Sequence, residues 1–188
     1  MSYRKTGKLS GWALGMLLLA LLGGSSVARA GAASEYDMKA AYLFNFAKFI
    51  NWPEGSFAKE DQPIQICVLG RDDFGDALGR VSRGRTVQGR AVEIKKLAGG
   101  GASDAQARSC NILFVSRSES GREADLLSVV GERPVVTVGE VEGFTEIGGV
   151  FNYVAEGSRV RFELNRKSAA SKGLSVSSRL VRLADVTN

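Results

Sequence analysis

Four short apolar runs, Ile64 to Leu69, Ala91 to Leu97, Asn111 to Ser116 and Val135 to Gly139, return along the chain with helix-length amphipathic stretches between them. That alternation leaves few folds open. Strands separated by helices of about ten residues build right-handed βαβ units, and the sheet they form is parallel. Ile112-Leu113-Phe114-Val115 is apolar without a break, as in a strand covered on both faces. Helices are expected from Asp72 or Asp73 to about Val81, near Ser103 to Arg108, and from Ser118 or Ser120 to about Val130. The last third breaks the rhythm. Val150 to Val154 and Arg159 to Leu164, joined by Ala155-Glu156-Gly157-Ser158, read as a hairpin, and a final helix from about Lys167 to Leu183 covers a sheet face. The expectation is a single three-layer α/β domain with a mostly parallel sheet of about 5–6 strands, helices on both faces and an antiparallel C-terminal edge hairpin.

The N-terminus follows a different logic. Arg4, Lys5 and Lys8 precede an apolar run from Trp12 to Leu22, then the small residues Gly23-Gly24-Ser25-Ser26 and the A-x-A site Ala28-Arg29-Ala30. This is the order of a signal peptide, over residues 1–30, leaving a domain over 31–188; a cut after Ala33 is the alternative. The apolar run falls well short of the roughly 20 residues of a spanning helix, no later run is long enough, and no lipobox cysteine sits at the cut. The mature chain is expected outside the cytoplasm, exported and soluble, with no membrane insertion after cleavage. The full chain carries 25 basic against 20 acidic residues, net +5. Removing Arg4, Lys5, Lys8 and Arg29 leaves 21 against 20. A near-neutral surface has no footprint for nucleic acid.

The chain has no histidine, which removes the usual general base, the usual metal ligand and every Ser-His or Cys-His arrangement. No S-x-x-K or G-x-S-x-G segment occurs. Gly70-Arg71-Asp72-Asp73-Phe74-Gly75 places glycines before a helix, where anions can bind, but its two aspartates would repel a phosphate and suit capping better. Asp72, Asp73 and Asp104 have no spacing that suits a cation. No catalytic residue, cofactor or metal is expected. The two cysteines, Cys67 and Cys110, are exported to where a disulfide persists. A bridge would close a loop of about 44 residues, worth about 4 kcal/mol by chain entropy; the alternative is two buried thiols. The first and third strands of a doubly wound sheet are commonly neighbours, which sets Cys67 beside the strand that Cys110 begins and favours the bridge.

The first helix, expected from Glu35 to Trp52 and ended by Pro53, is unusually apolar. Its apolar residues fill an arc of roughly 220°, against little more than 100° for a surface helix. Either the helix is wedged between the sheet and another element, or it faces a partner. In the second case Tyr42, Phe44, Phe46, Phe49 and Trp52 are the natural anchors of a partner interface.

The segment from Lys39 to Pro53, KAAYLFNFAKFINWP, resembles the opening motif of the YfiR family, a domain family without an assigned function. Ile66-Cys67-Val68-Leu69-Gly70 with Phe74-Gly75, Val87-Gln88-Gly89-Arg90, Cys110 to Ser116, Thr137-Val138-Gly139-Glu140, Phe144, Gly148-Gly149, Val160 to Asn165 and Gly173 to Leu180 follow in the family's order. The resemblance spans essentially the whole mature chain. It implies a small non-catalytic periplasmic α/β protein that binds the periplasmic sensor domain of an inner-membrane signalling protein, a diguanylate cyclase in the best-known members, and holds down cyclic-di-GMP synthesis and biofilm formation. It also implies a homodimer. Some members carry a second cysteine pair flanking the segment that matches Gly148-Gly149, where this chain has Thr145 and Asn152. The alternative function is a periplasmic small-molecule-binding protein serving a membrane sensor or transporter, its site in the crevice at the carboxyl ends of the strands near Gly70 to Gly75 and Gly139-Glu140.

Overall fold

The computed structural model describes residues 27–157 and 159–187, with side chains from Glu35 on except those of 102 and 103. Most of the expected signal peptide, residues 1–26, lies outside the described residues. The first helix, α1, covers Val27–Phe49, and two residues of strand β1, Ile50–Asn51, follow it. Then come β2 (Ile64–Leu69), α2 (Ala77–Ser82), β3 (Thr86–Val87), β4 (Arg90–Leu97), α3 (Gly101–Ala107), β5 (Ile112–Val115), a 3-10 turn (Arg117–Glu119), α4 (Glu123–Val130) and β6 (Val136–Gly139). The chain closes with β7 (Phe151–Glu156), β8 (Arg159–Asn165), α5 (Arg166–Ser171), β9 (Ser175–Val176), α6 (Ser178–Val181) and β10 (Asp185–Thr187).

The main sheet has the order β10-β8-β7-β6-β5-β2-β4-β3 and curls into a half-barrel. It is mixed. The neighbours from β4 through β2, β5 and β6 to β7 are parallel, β8 is antiparallel to β7, and β10 is parallel to β8. The expected 5–6 strands become eight because short strands are added at both ends. For the same reason the C-terminal hairpin is not the edge: β10 pairs outside β8 and satisfies main-chain groups the hairpin would otherwise expose.

Side chains alternate across this sheet. Ile64, Ile66 and Val68 of β2 join Ile112 and Phe114 of β5 in the core under α1, while Cys67, Leu69, Leu113 and Val115 join Ala107, Leu126 and Val130 under α3 and α4. Helices therefore cover both faces, as expected. The Cys67–Cys110 disulfide is formed with its Cα atoms 6.0 Å apart. β2 pairs with β5, and Asn111 donates its N–H to Gln65 O at 3.0 Å, so the neighbouring Cys110 lies beside Cys67.

Helix α1 is wedged. It packs on the sheet and also against α2 and α6, which is how its wide apolar arc is covered. It ends at Phe49 rather than Trp52, since Ile50 and Asn51 pair antiparallel with Val176 and Ser175. The expected final helix is two short ones. Gly173 has φ 69°; its N–H goes to Ala170 O at 2.9 Å, and that of Leu174 to Ala169 O at 3.0 Å. This is a Schellman ending, which a glycine in the left-handed region permits.

Candidate functional site

Beyond β2 the chain turns to β4 on one side and later returns to β5 on the other, and ligands of open α/β sheets bind at such a switch point. Here the protein's own 3-10 turn fills it. A Cβ on Gly70 would stand 2.8 Å from Glu119 Oε1, and one on Gly99 2.7 Å from the same oxygen. Glu119 is buried and pairs with Arg122, which reaches on to Asp104 at 2.7 Å. The crevice expected around Gly70 to Gly75 is thus closed by a carboxylate, and an anion has no place there.

The open space lies two strands away, over the end of β6. β6 stops at Gly139, packed under the ring of Phe144: a Cβ on Gly139 would be 2.6 Å from Phe144 Cδ1, and one on Gly149 2.7 Å from Phe144 O. Only glycines let the 140–149 loop sit this close, and the loop sets Glu140 and Glu142 beside the strand end. β7, by contrast, runs on to Glu156. The resulting notch has a volume of about 410 Å³ and is lined by Lys39, Arg117, Glu140, Glu142, Asn152 and Glu163, together with the stretch 153–155 of β7.

One wall is a buried ion pair. Lys39 Nζ, on a side chain 1% exposed, lies 2.6 Å from Glu140 Oε2 and 2.5 Å from Glu35 Oε1, with the Tyr36 ring centroid at 4.4 Å. Glu140 also accepts the Tyr36 hydroxyl at 3.0 Å and the Arg117 N–H at 3.0 Å. A buried charge is tolerated only when paired and hydrogen-bonded in this way. Burial first, and then the Glu140 carboxylate, push the Tyr36 phenol far above its ordinary range; the same two causes raise Tyr153. Asp73, which also accepts the Tyr36 hydroxyl, is held low by its hydrogen bond from Arg71.

The other wall is an acceptor surface. Glu163 receives hydrogen bonds from Thr145 Oγ1 at 3.0 Å and Asn152 Nδ2 at 3.2 Å. Thr145 and Asn152, which stand in the neighbourhood of the resembled family's second cysteine pair, thus tie the loop to the hairpin through one carboxylate. With Nδ2 committed to Glu163, Asn152 Oδ1 is buried without a partner among the described residues. No group of three or more His, Cys, Asp or Glu among the described residues is placed to hold a metal ion, and no helix among them is long and apolar enough to cross a membrane.

The aromatic anchors expected on α1 are divided. Phe46 and Phe44 belong to the core, 0% and 5% exposed, and Phe46 stacks on Phe151 at 4.2 Å. These two are not surface groups, because the wedged helix is covered on both flanks. Tyr42 is half-buried against Phe162 at 5.2 Å. Phe49 and Trp52 are half-buried at the far end, where Trp52 meets Phe57 edge-on at 6.0 Å. The sequence reading places Glu140 in the crevice but misses Lys39. A lysine inside an apolar helical arc is the available signal, since a lysine is almost never fully buried without a partner.

The fold is an α/β domain with helices on both faces of a mixed sheet and a polar notch over the end of β6. The chain belongs to the YfiR/HmsC-like family (DUF4154), whose model matches residues 36–185. It is a family of non-catalytic periplasmic domains, and its members interact with inner-membrane sensor proteins. Among solved structures, a conserved domain protein from Vibrio cholerae superposes with a TM-score of 0.54 at 9% identity, over 81% of this chain and 60% of that one. An ABC domain from Streptococcus pneumonia, solved in complex with L-Trp, gives 0.50 at 11% identity, over 65% of this chain and 54% of that one. The chain spans less than two thirds of either structure, and the likeness is one of fold.

Proposed function

We propose that this protein, freed of a leader by cleavage after Ala30, is a periplasmic regulatory domain that binds the periplasmic sensor domain of an inner-membrane signalling protein. In the finer form of this reading the partner is a diguanylate cyclase, the protein acts as a homodimer, and binding holds cyclic-di-GMP synthesis down. The observation that carries it is family membership over residues 36–185. The absence of histidine supports it. Of the five expected aromatic anchors, the half-buried Tyr42, Phe49 and Trp52 are the ones this reading assigns to a partner surface, because Phe44 and Phe46 are spent in the core.

The test is intracellular cyclic-di-GMP in the native host with the gene deleted and then restored. A rise on deletion, reversed by the wild-type gene and not by one carrying Phe49→Ala and Trp52→Ala, is the expected result; an unchanged level rejects the cyclase. A second reading, a periplasmic small-molecule-binding protein, is favoured by the polar notch over β6. A saturable rise in melting temperature with a metabolite would select it.

A further inference from the structure

The notch is bounded by a strand edge that no strand among the described residues completes. Asn165 donates its N–H to Val150 O at 2.9 Å, and the register continues Asn152↔Glu163, Val154↔Arg161 and Glu156↔Arg159. In an antiparallel ladder every second residue turns both main-chain groups to one neighbour. Val150, Asn152, Val154 and Glu156 therefore serve β8, and the residues between them face the lane of β6. β6 meets β7 only at Val138↔Phe151 and Gly139↔Asn152. Ala155, three residues past the last pair, is exposed and presents its N–H and C=O to a lane that no strand among the described residues occupies. No loop or side chain among the described residues hydrogen-bonds to it.

The walls of that lane have a sign. Three carboxylates, Glu140, Glu142 and Glu163, face it against two cations, Lys39 and Arg117. Lys39 is committed to Glu35 and Glu140, while Glu142 and Glu163 have no cationic partner among the described residues. Asn152 Oδ1 adds an unpartnered acceptor.

From these observations we infer that the β7 edge beyond Asn152 is a docking site for an extended peptide segment of a partner protein, which continues the lane of β6 as an added strand and sets a lysine or arginine against Glu142 and Glu163. Main-chain pairing supplies the affinity and the acidic wall supplies the choice of sequence, as in strand addition generally. The inference rests on the regulatory reading for its partner but not for its chemistry.

The probe is a fluorescein-labelled Val-Lys-Val-Lys-Val peptide, with two controls: its Val-Glu-Val-Glu-Val counterpart and a copy N-methylated along one edge. Fluorescence anisotropy should show saturable binding of the first and loss of both controls. Ala155→Pro removes one edge N–H where no ladder bond is lost; it should weaken binding by about tenfold or more while far-ultraviolet circular dichroism stays native. Glu142→Gln, on the exposed rim, should weaken it severalfold and reduce its salt dependence. Hydrogen exchange should slow at the Ala155 amide when peptide is added. No binding of the lysine peptide at about 1 mM, equal binding of either control, or indifference to both substitutions overturns the docking site. If the peptide binds as expected and deletion leaves cyclic-di-GMP unchanged, the cyclase reading falls and the docking site stands.

Discussion

Gly139 ends β6 beneath the Phe144 ring, at a distance no side chain larger than hydrogen permits. Gly139→Ala should therefore act by overpacking and destabilise the fold by about 1–3 kcal/mol or more, read as a drop in the denaturant midpoint. A shift under about 0.5 kcal/mol would mean that the ring can swing aside. The same substitution should disturb the Glu140 and Glu142 positions, so notch and stability are linked at one residue. Gly139-Glu140 is visible in the sequence as a strand end. That Phe144, five residues on, would press against it is not, because a loop of this kind has no periodicity to betray its packing. Lys39 is the mirror case: its place on an apolar arc announces a buried charge, and only the fold names Glu35 and Glu140 as its partners.

At the scale of elements, the disulfide fastens β2 to the start of β5, and both cysteines are buried, 0% and 3% exposed. Replacing both with alanine should cost about 4 kcal/mol, the loop-closure entropy of a 43-residue separation. Chemical denaturation of the double variant against wild type measures it. A loss below about 1 kcal/mol would place the stability of this pair of strands in the ladder and core alone. The four apolar runs are legible as strands since each is buried on both faces or flanked by turns. The short additions β1, β3, β9 and β10 are not: two or three residues carry too little pattern, and their existence depends on a neighbour's free edge. The break between α5 and α6 was within reach, because Lys172-Gly173-Leu174 has the composition of a Schellman ending.

The whole molecule should be sensitive to alkali. Tyr36, half-buried on α1, and Tyr153, buried on β7, both feel the Glu140 carboxylate, and both phenols hold their protons above the normal range. Unfolded, they ionise near pH 10. Above that pH the unfolded chain has released protons that the native one retains, so stability falls as pH rises; below it the contribution is fully present. Denaturant midpoints followed from about pH 9 to about pH 11, with phenolate absorbance in parallel, should show the two phenols ionising only as the protein unfolds. Smooth ionisation with an unchanged midpoint would mean that water reaches both rings. This result bears on function, since Lys39, Glu140 and Tyr153 line the notch and Tyr36 hydrogen-bonds to Glu140.

The sequence by itself determined the α/β class, the coverage of the sheet on both faces and the lack of histidine chemistry, because each follows from local pattern or from which residue types are present; it favoured the bridge between Cys67 and Cys110 over two buried thiols, and the pairing of β2 with β5 decided for the bridge. The tertiary structure alone decided that Phe44 and Phe46 are core, that Glu119 closes the switch-point crevice, and that β7 outruns β6 to leave a notch. Those outcomes turn on where separate elements stop relative to one another, and relative length across a sheet is set by packing between segments far apart in the chain.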